Sequence, residues 1–177
     1  MDANYKVQGE FRLWLSDSTR RQEIELAHPE MPFEQKLALV AEEDTGWVKN
    51  VVTDYGRRRL IVNSWGSTSF NLFISTVTSP GNVRRTSVNF PYTTGPQITI
   101  PSIVDLDRPT LLQTRTGTFA SVGVSRTINI VGLTTFSAIS SDGFLNGVVA
   151  YSKLPSTKTQ GAAQTADVQY RVTWSLD

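Results

Sequence analysis

The side chains that could carry catalysis are few in this 177-residue chain. It contains no cysteine, which excludes thiolate nucleophiles, iron–sulfur clusters and cysteine-ligated zinc. The single histidine, His28, precedes Pro29 and is the only side chain that could act as the base of a Ser-His-Asp triad. No serine lies in a G-x-S-x-G pattern. We therefore expect His28 to be a loop residue without a catalytic role.

Carboxylates occur in pairs, but without the spacing of a metal site. Asp105 and Asp107 are separated by one residue and would share one face of a strand. Calcium needs six or more oxygen ligands and the EF-hand spacing is absent, so we interpret this pair as part of a solvated turn. The Glu-Glu-Asp run at 42–44 is interpreted as the charged end of a hairpin. Phosphate-binding glycine motifs are also absent, and the sequence predicts neither an enzyme nor a metal or cofactor site.

The aromatic side chains are a second source of binding chemistry, because exposed rings can stack on sugars or bases. Each of the four tryptophans lies within or beside an apolar run, which favours a core or interface position: Trp14, Trp47, Trp65 and Trp174. The formal net charge of +1 provides no general attraction for nucleic acid or an anionic bilayer. We expect no specific nucleic-acid partner and no small-molecule substrate.

Arginine is the most distinctive charged residue, outnumbering lysine 12 to 5. Its planar fork suits interface ion pairs, and interfaces are enriched in it. In the triplet 57–59, Arg57 and Arg59 would share one face of a strand because successive side chains alternate. We predict contacts between these two arginines and carboxylates of a neighbouring subunit, and a similar interface role for Arg84 and Arg85. Replacing Arg57 and Arg59 together by alanine is expected to impair assembly more than folding.

The elements that position these residues divide the chain near residue 60. All seven glutamates lie between Glu10 and Glu43, and residues 1–60 hold 20 of the 33 charged side chains. After residue 60, serine and threonine account for 33 of 117 residues, mixed with valine, isoleucine, leucine and phenylalanine. This composition suits a pleated, half-buried surface. The second part is therefore predicted to be almost entirely β, whereas the first part could hold a short helix.

The predicted strands recur at a spacing of about 8–12 residues with turn signals between them, which is typical of a sandwich or barrel. Six prolines fall at the ends of these runs or between them, where a missing N–H does not interrupt a sheet. The predicted strands are 6–15, 23–26, 48–53, 58–65, 70–77, 85–90, 97–100, 110–115, 118–124, 126–131, 134–139, 144–151 and 168–175.

The secondary structure of two further segments is predicted separately. Residues 33–43 could begin a helix after Pro32, with Glu34 at the positive end of the helix dipole. Alternatively, Gln35 to Ala41 could form a strand that continues through the turn signal Asp-Thr-Gly into a hairpin, and we favour this strand. Residues 156–166, STKTQGAAQTA, are predicted to form a flexible, exposed loop.

Four features indicate a family resemblance: the Ser- and Thr-rich strands from Phe70 to Ser175, the absence of a signal peptide, the missing catalytic groups and the last strand, VQYRVTWSLD. In size and pattern the chain resembles the small single jelly-roll capsid proteins of membrane-containing icosahedral phages, such as those of Thermus. This resemblance implies one all-β domain over residues 1–177, an antiparallel β-sandwich of jelly-roll type. Eight strands would be accompanied by extra N-terminal strands or one short helix.

The resemblance also implies a function, a coat subunit that assembles by repeated contacts into an icosahedral shell. Its partners would be further copies of itself and a second coat protein, close to an internal viral membrane. The polar N-terminus MDANYKVQGE predicts no secretory signal, and the resemblance implies that the protein is located in the virion. The alternative is a carbohydrate- or receptor-binding β-sandwich of a phage tail or fibre, which predicts exposed aromatic rings beside Asp or Asn on one sheet face.

Overall fold

Strands dominate the computed structural model, which describes residues 5–53, 56, 68–78, 87–88, 93–100, 110–135, 145–146 and 148–176. These residues form β1 (Tyr5–Asp17), α1 (Ser18–Ala27), α2 (Phe33–Val40), β2 (Ala41–Asp44), β3 (Val48–Lys49), β4 (Val51–Val52), β5 (Thr68–Ser75), β6 (Ser87–Val88), β7 (Thr93–Ile100), β8 (Thr110–Phe119), β9 (Arg126–Thr134), β10 (Leu145–Asn146), β11 (Val148–Gln160) and β12 (Gln164–Leu176).

The strands form two packed antiparallel sheets. Sheet A has the order β2-β1-β12-β8, with β3 also paired to β1. Sheet B has the order β4-β11-β9-β5-β7, and β6 and β10 form a separate pair. The prediction of an all-β, single-domain antiparallel sandwich is confirmed. Strands from the N-terminal and C-terminal parts of the chain pair with each other, β1 with β12 and β4 with β11. The finer jelly-roll assignment stays a prediction.

Alternation along β1 explains how the sandwich is filled. Phe11, Leu13 and Leu15 are almost fully buried and belong to the main core cluster. Arg12 and Trp14, at the intervening positions, face the opposite side of sheet A because successive strand side chains alternate. The main core also contains residues of β5, β8, β9, β11 and β12. The outer side of sheet A is therefore a separate surface, and it carries most of the charged side chains described below.

One buried glutamine joins the two sheets where four strands meet. The Gln160 amide donates from Nε2 to the carbonyl oxygen of Gln164 at 2.6 Å and, at 3.4 Å, to those of Phe119 and Ala120. Its Oε1 accepts a hydrogen bond from Nε of Arg126 at 2.6 Å. Gln160 is 1% exposed. Buried backbone carbonyls need hydrogen-bond partners. The Gln160 side chain supplies them at the corner where the β11–β12 turn connects the two sheets.

The predicted strand from Gln35 to Ala41 is wrong, because Phe33–Val40 is a helix. Leu37 and Val40 are three residues apart and both 1% exposed, whereas Leu39 is 49% exposed. A strand would have placed 37 and 39 on the same face; the observed burial follows helical spacing instead. Only the short β2 that follows has the extended form that the sequence favoured.

Two further local predictions are wrong. Residues 23–26 belong to α1, which begins where Asp17 accepts hydrogen bonds from the backbone N–H groups of Thr19 and Arg20 at 3.0 and 2.9 Å. An aspartate N-cap of this kind favours a helix start. Residues 156–166 are not a loop: β11 runs to Gln160 and β12 begins at Gln164.

The three-residue β11–β12 turn is held by two hydrogen bonds. The backbone N–H of Gln164 donates to the carbonyl oxygen of Gly161 at 3.0 Å, and the backbone N–H of Gly161 donates to Oε1 of Gln164 at 2.7 Å. The small, polar composition that suggested a loop therefore belongs to two long strands and a tight turn. The predicted strands at 110–115 and 118–124 are likewise one continuous strand that ends at Phe119.

Candidate interaction face on the outer side of sheet A

Strand register places a set of polar and aromatic side chains on the outer side of sheet A. In β1, Glu10, Arg12 and Trp14 share this side. Their direct partners in β12 are Arg171, Gln169 and Asp167, respectively. Because cross-strand partners point to the same face, the two strands form an outward-facing grid. We call the exposed end of this grid, with Trp47 from the β2–β3 connection, the Arg–Trp face; it comprises Glu10, Arg12, Asp44, Trp47 and Arg171.

Guanidinium groups and indole rings alternate along the Arg–Trp face. The Arg12 guanidinium carbon lies 3.9 Å from the ring centroid of Trp14 and 5.9 Å from that of Trp47. The Arg171 guanidinium carbon lies 4.1 Å from the centroid of Trp47. Cation–π attraction contributes about 0.5–1 kcal/mol per contact at exposed sites and more where water is excluded. The stack therefore orders two long side chains that would otherwise be mobile.

A carboxylate fixes each arginine from the side. Arg12 donates from Nε to Oδ1 of Asp44 at 2.8 Å and from an Nη to Oδ2 at 2.5 Å. Arg171 donates from Nε to Oε2 of Glu10 at 2.9 Å, and its Nη binds the same oxygen. The hydrogen bonds from Arg12 hold the pKa of Asp44 below its usual value, and those to Asp44 raise the pKa of Arg12. Two planar cations are thus held in defined orientations.

Each guanidinium keeps donors available for a partner. The Nε side of Arg12 and of Arg171 is engaged by its carboxylate, whereas Nη1 of both has no acceptor within the described part of the chain. The two arginine side chains are 23% and 27% exposed. An arginine fork can bind two oxygens along one edge. The face therefore presents two oriented, partly solvated donor edges beside Trp47.

Charges on this side of sheet A are balanced. Lys49 of β3 lies opposite Glu10 in register and is exposed. Together with Arg12 and Arg171 it supplies three positive charges, against the carboxylates of Glu10, Asp44 and Glu34. A balanced surface does not attract long polyanions, since such attraction grows with the number of unopposed cations. It suits a partner whose charges are also mixed.

The Trp14 end of the grid lies beneath the helices. Trp14 is 5% exposed and donates from Nε1 to Oε1 of Gln169 at 3.0 Å. The Gln169 amide donates onward to Oε1 of Glu34 in α2 at 3.2 Å. Leu37 and Val40 of α2 are buried, yet they belong to neither described core cluster. The helix pair therefore covers one end of the outer side of sheet A and leaves the Arg–Trp face open at the other end.

A fully buried carboxylate lies under α1. Asp167 is 0% exposed. Its Oδ1 accepts a hydrogen bond from Oγ1 of Thr118 at 2.5 Å and forms an ion pair with an Nη of Arg21 at 3.2 Å. Its Oδ2 has no hydrogen-bond partner among the described residues. Burial raises the pKa of the Asp167 carboxyl, and the bond from Thr118 and the charge of Arg21 oppose that effect.

Most of the candidate residues predicted from the sequence lie outside the described part of the chain. Arg57, Arg59, Arg84 and Arg85 lie outside the described residues, as do Trp65 and the Asp105–Asp107 pair. His28 is exposed and its backbone N–H ends α1 by donating to the carbonyl oxygen of Ile24 at 3.0 Å. Sequence reasoning missed the interface potential of Arg12 and Arg171. The spacing Glu-x-Arg-x-Trp at 10–14, alternating with apolar residues, was the signal that could have revealed it.

Comparisons of the chain with protein-family models, with curated proteins and with solved structures find no match. Among the residues described, no group of three or more His, Asp or Glu side chains is arranged to hold a metal ion. None of the helices described is sufficiently long and apolar to span a bilayer.

Proposed function

We propose that this chain is a structural subunit of a virus-like shell, a coat protein that assembles through repeated contacts of its β-sandwich. The expected partners are further copies of the chain and a second coat protein, and the expected location is the virion. The observation that carries the proposal is the Arg–Trp face. It is a rigid, charge-balanced surface on one side of a sandwich, built from residue types that dominate protein–protein contacts.

Residue type and geometry both support a protein partner. Tryptophan and arginine are the residues most often found at energetic hot spots of interfaces. Here Trp47, Arg12 and Arg171 are held in place before any partner binds, which lowers the entropy cost of association. In a shell each contact is repeated many times, so a modest contact suffices for a stable assembly.

The sugar-binding alternative meets a geometric obstacle. A sugar ring stacks on an open aromatic face, and of the tryptophans only Trp14 and Trp47 have described side chains on this surface. Trp14 is buried beneath Arg12, and the ring of Trp47 has the guanidinium of Arg171 4.1 Å from its centroid. A sugar would have to displace a guanidinium that a carboxylate already orients. This favours assembly over glycan recognition.

Sedimentation velocity and native mass spectrometry test the proposal over a range of protein concentrations, with the chain alone and mixed with the other proteins of purified particles. We expect concentration-dependent oligomers or co-assembly, weakened at least about tenfold in Arg171→Gln because a hot-spot arginine contributes about 2 kcal/mol or more. The matched control is Arg20→Gln, since Arg20 is an exposed arginine on α1, away from the Arg–Trp face. A chain that stays monomeric throughout and binds no particle protein would overturn the proposal. So would a glycan array in which the wild type binds sugars and Arg171→Gln does not.

A further inference from the structure

The attachment of α1 to the sandwich is unusual for a helix. None of its ten residues, all of which are described, is buried. Leu26, near its C-terminal end, is 84% exposed. Helices in globular proteins are normally held by an apolar stripe packed on the core. α1 lacks such a stripe, so its position depends on polar contacts and on its neighbour α2.

The main polar contact of α1 is a charge pair with a buried partner. Arg21 is 13% exposed and reaches Oδ1 of Asp167, whose side chain is 0% exposed. Arg21 also donates to Oγ1 of Thr118 at 3.2 Å, and its Nε lies 3.4 Å from Glu25 in the next turn. Removing Arg21 would leave the fully buried carboxylate of Asp167 without its countercharge, which is strongly destabilising, whereas Arg21 is partly exposed and also has Glu25 beside it. The ion pair between Arg21 and Asp167 is therefore the main interaction that holds α1 on the sandwich.

The side chains beneath the helices belong to the same grid as the Arg–Trp face. Trp14 is the direct cross-strand partner of Asp167 and carries the Arg12 guanidinium on its ring. Gln169, the next outward-facing residue of β12, links Trp14 by hydrogen bonds to Glu34 of α2. If the helices moved away, Trp14 would become exposed and the stack would extend along the whole of β1. The covered and the open parts form one continuous surface.

We propose that α1 and α2 form a strap, residues 18–40, that closes over the Trp14 end of the outward-facing grid, is held by Arg21 on Asp167, and opens to admit a second copy of this chain. The choice of a second copy follows from the balanced charges of the face, since the free Nη edges of Arg12 and Arg171 on one copy would meet the exposed carboxylates of Asp44 and Glu34 on the other. The closing of the strap does not depend on the proposed function, whereas the admission of a second copy rests on it.

Proton binding at Asp167 sets the direction in which the strap responds to pH. The charged groups that surround it are Arg21 and Glu25 of α1 and, through Gln169, Glu34 of α2; the neighbouring side chains from β8 and β1, Thr118 and Trp14, are neutral. Burial raises the pKa of Asp167 in the closed form. The closed form therefore holds a proton more tightly than an open form in which the carboxyl is solvated, and opening is favoured as the pH rises.

A single introduced thiol reports opening, because the chain has no cysteine of its own. Leu37→Cys places the thiol under the strap, and Leu13→Cys places one in the main core; both leucines are 1% exposed. Labelling by a thiol reagent at fixed pH is expected to be faster at position 37 than at 13 in an otherwise wild-type chain. Adding Arg21→Ala should accelerate labelling at 37 about tenfold or more, whereas the matched exposed change Arg20→Ala should not. Asp167→Asn, the neutral isostere, should slow it.

Equal labelling rates at 37 and 13 in every variant would overturn the strap, because they would mean that only global unfolding exposes position 37. Indistinguishable rates in Arg21→Ala and Arg20→Ala would overturn the role of the charge pair. Sedimentation of Arg21→Ala, without the introduced thiol, separates the two parts: stronger self-association than in wild type supports admission of a second copy. Faster labelling without stronger association overturns that step. Failure of every variant to associate is a failure of the proposed function, and the labelling result still decides the strap.

Discussion

The guanidinium of Arg171 lies 4.1 Å from the centre of the Trp47 ring, although the two residues belong to distant parts of the chain. Arg171 lies in the second half of β12, and Trp47 lies between β2 and β3. Their contact exists because β1 pairs with β12 on one side and with β2 and β3 on the other. The Arg–Trp face is thus a product of sheet order, and it reports on the correct assembly of sheet A.

The Arg171–Trp47 pair is expected to show a measurable coupling energy. A double-mutant cycle with Arg171→Gln and Trp47→Leu, followed by urea unfolding, should give about 0.5–1 kcal/mol of interaction, as for exposed cation–π contacts. The same cycle with Arg20→Gln in place of Arg171→Gln serves as the control and should be additive. Additivity in both cycles would show that the stacking does not stabilise the fold.

Much of this surface was readable from the sequence, but only within one strand. Alternation of Glu10, Arg12 and Trp14 with apolar residues indicates one polar face and one core face. The position of Trp47 was not readable, because it depends on which strands neighbour β1. The burial of Asp167 was also hidden, since an outward-facing aspartate in a strand normally indicates solvent and only the tertiary placement of α1 covers it.

Helix and strand were confused where alternation and helical spacing gave similar patterns. Residues 23–26, Glu-Ile-Glu-Leu, alternate as a strand would, yet the preceding Asp17 caps a helix. At 35–41 the aliphatic residues fit either period, and the buried pair Leu37 and Val40, three residues apart, follows the helical one. The all-β sandwich was predictable because strand spacing and turn signals recur over more than a hundred residues, so local errors average out.

The Arg12–Asp44 pair should make stability depend on pH. The pKa of Asp44 is lower in the folded chain than in the unfolded chain. The ionised Asp44 therefore contributes to the free energy of unfolding above its unfolded-state pKa, and this contribution is lost as the pH falls through its folded-state pKa. Asp44→Asn retains an oxygen for the backbone N–H of Gly46, which donates to Oδ1 at 2.8 Å, and removes the charge together with the second acceptor for Arg12. We expect the variant to be less stable than wild type at pH 7 and equal to it in acid.

Urea unfolding between pH 2 and pH 8 measures this difference for Asp44→Asn. Glu23→Gln is a suitable control, because Glu23 is an exposed carboxylate on α1 and no hydrogen bond or ion pair holds it among the described residues. A stability difference for Asp44→Asn that is the same at every pH would show that the charge of Asp44 is not responsible.

The corner glutamine should be among the most sensitive polar positions. Gln160→Leu keeps a side chain of similar size but removes the donor to Gln164 and the acceptor for Arg126. Buried groups left without partners cost about 1–3 kcal/mol each, so we expect a loss of at least about 2 kcal/mol in the free energy of unfolding. Gln22→Leu, at an exposed position of α1, is the same substitution without buried partners and should have little effect. Similar effects of both changes would argue against a role for Gln160 at the corner.

The contact between β7 and β8 offers a test of how the two sheets close on each other. A Cβ atom added at Gly95 would lie 2.2 Å from Cζ of Phe119, and the two next nearest atoms belong to the same ring. Phe119 is 4% exposed and part of the main core. Gly95→Ala should therefore be destabilising by about 1–3 kcal/mol through overpacking. Gly161→Ala is the control, because its nearest neighbour is the flexible end of Gln164 at 3.3 Å.

A second change identifies the ring as the cause. Phe119→Leu removes ring atoms that the new methyl group would meet, and by itself it leaves a small cavity that also destabilises the fold. In the double variant the methyl group occupies part of that cavity, so the loss of unfolding free energy should be smaller than the sum of the two single losses. Thermal and urea unfolding of the four proteins give this comparison. Strict additivity would mean that Gly95 does not pack on Phe119 and that β7 and β8 approach each other differently in solution.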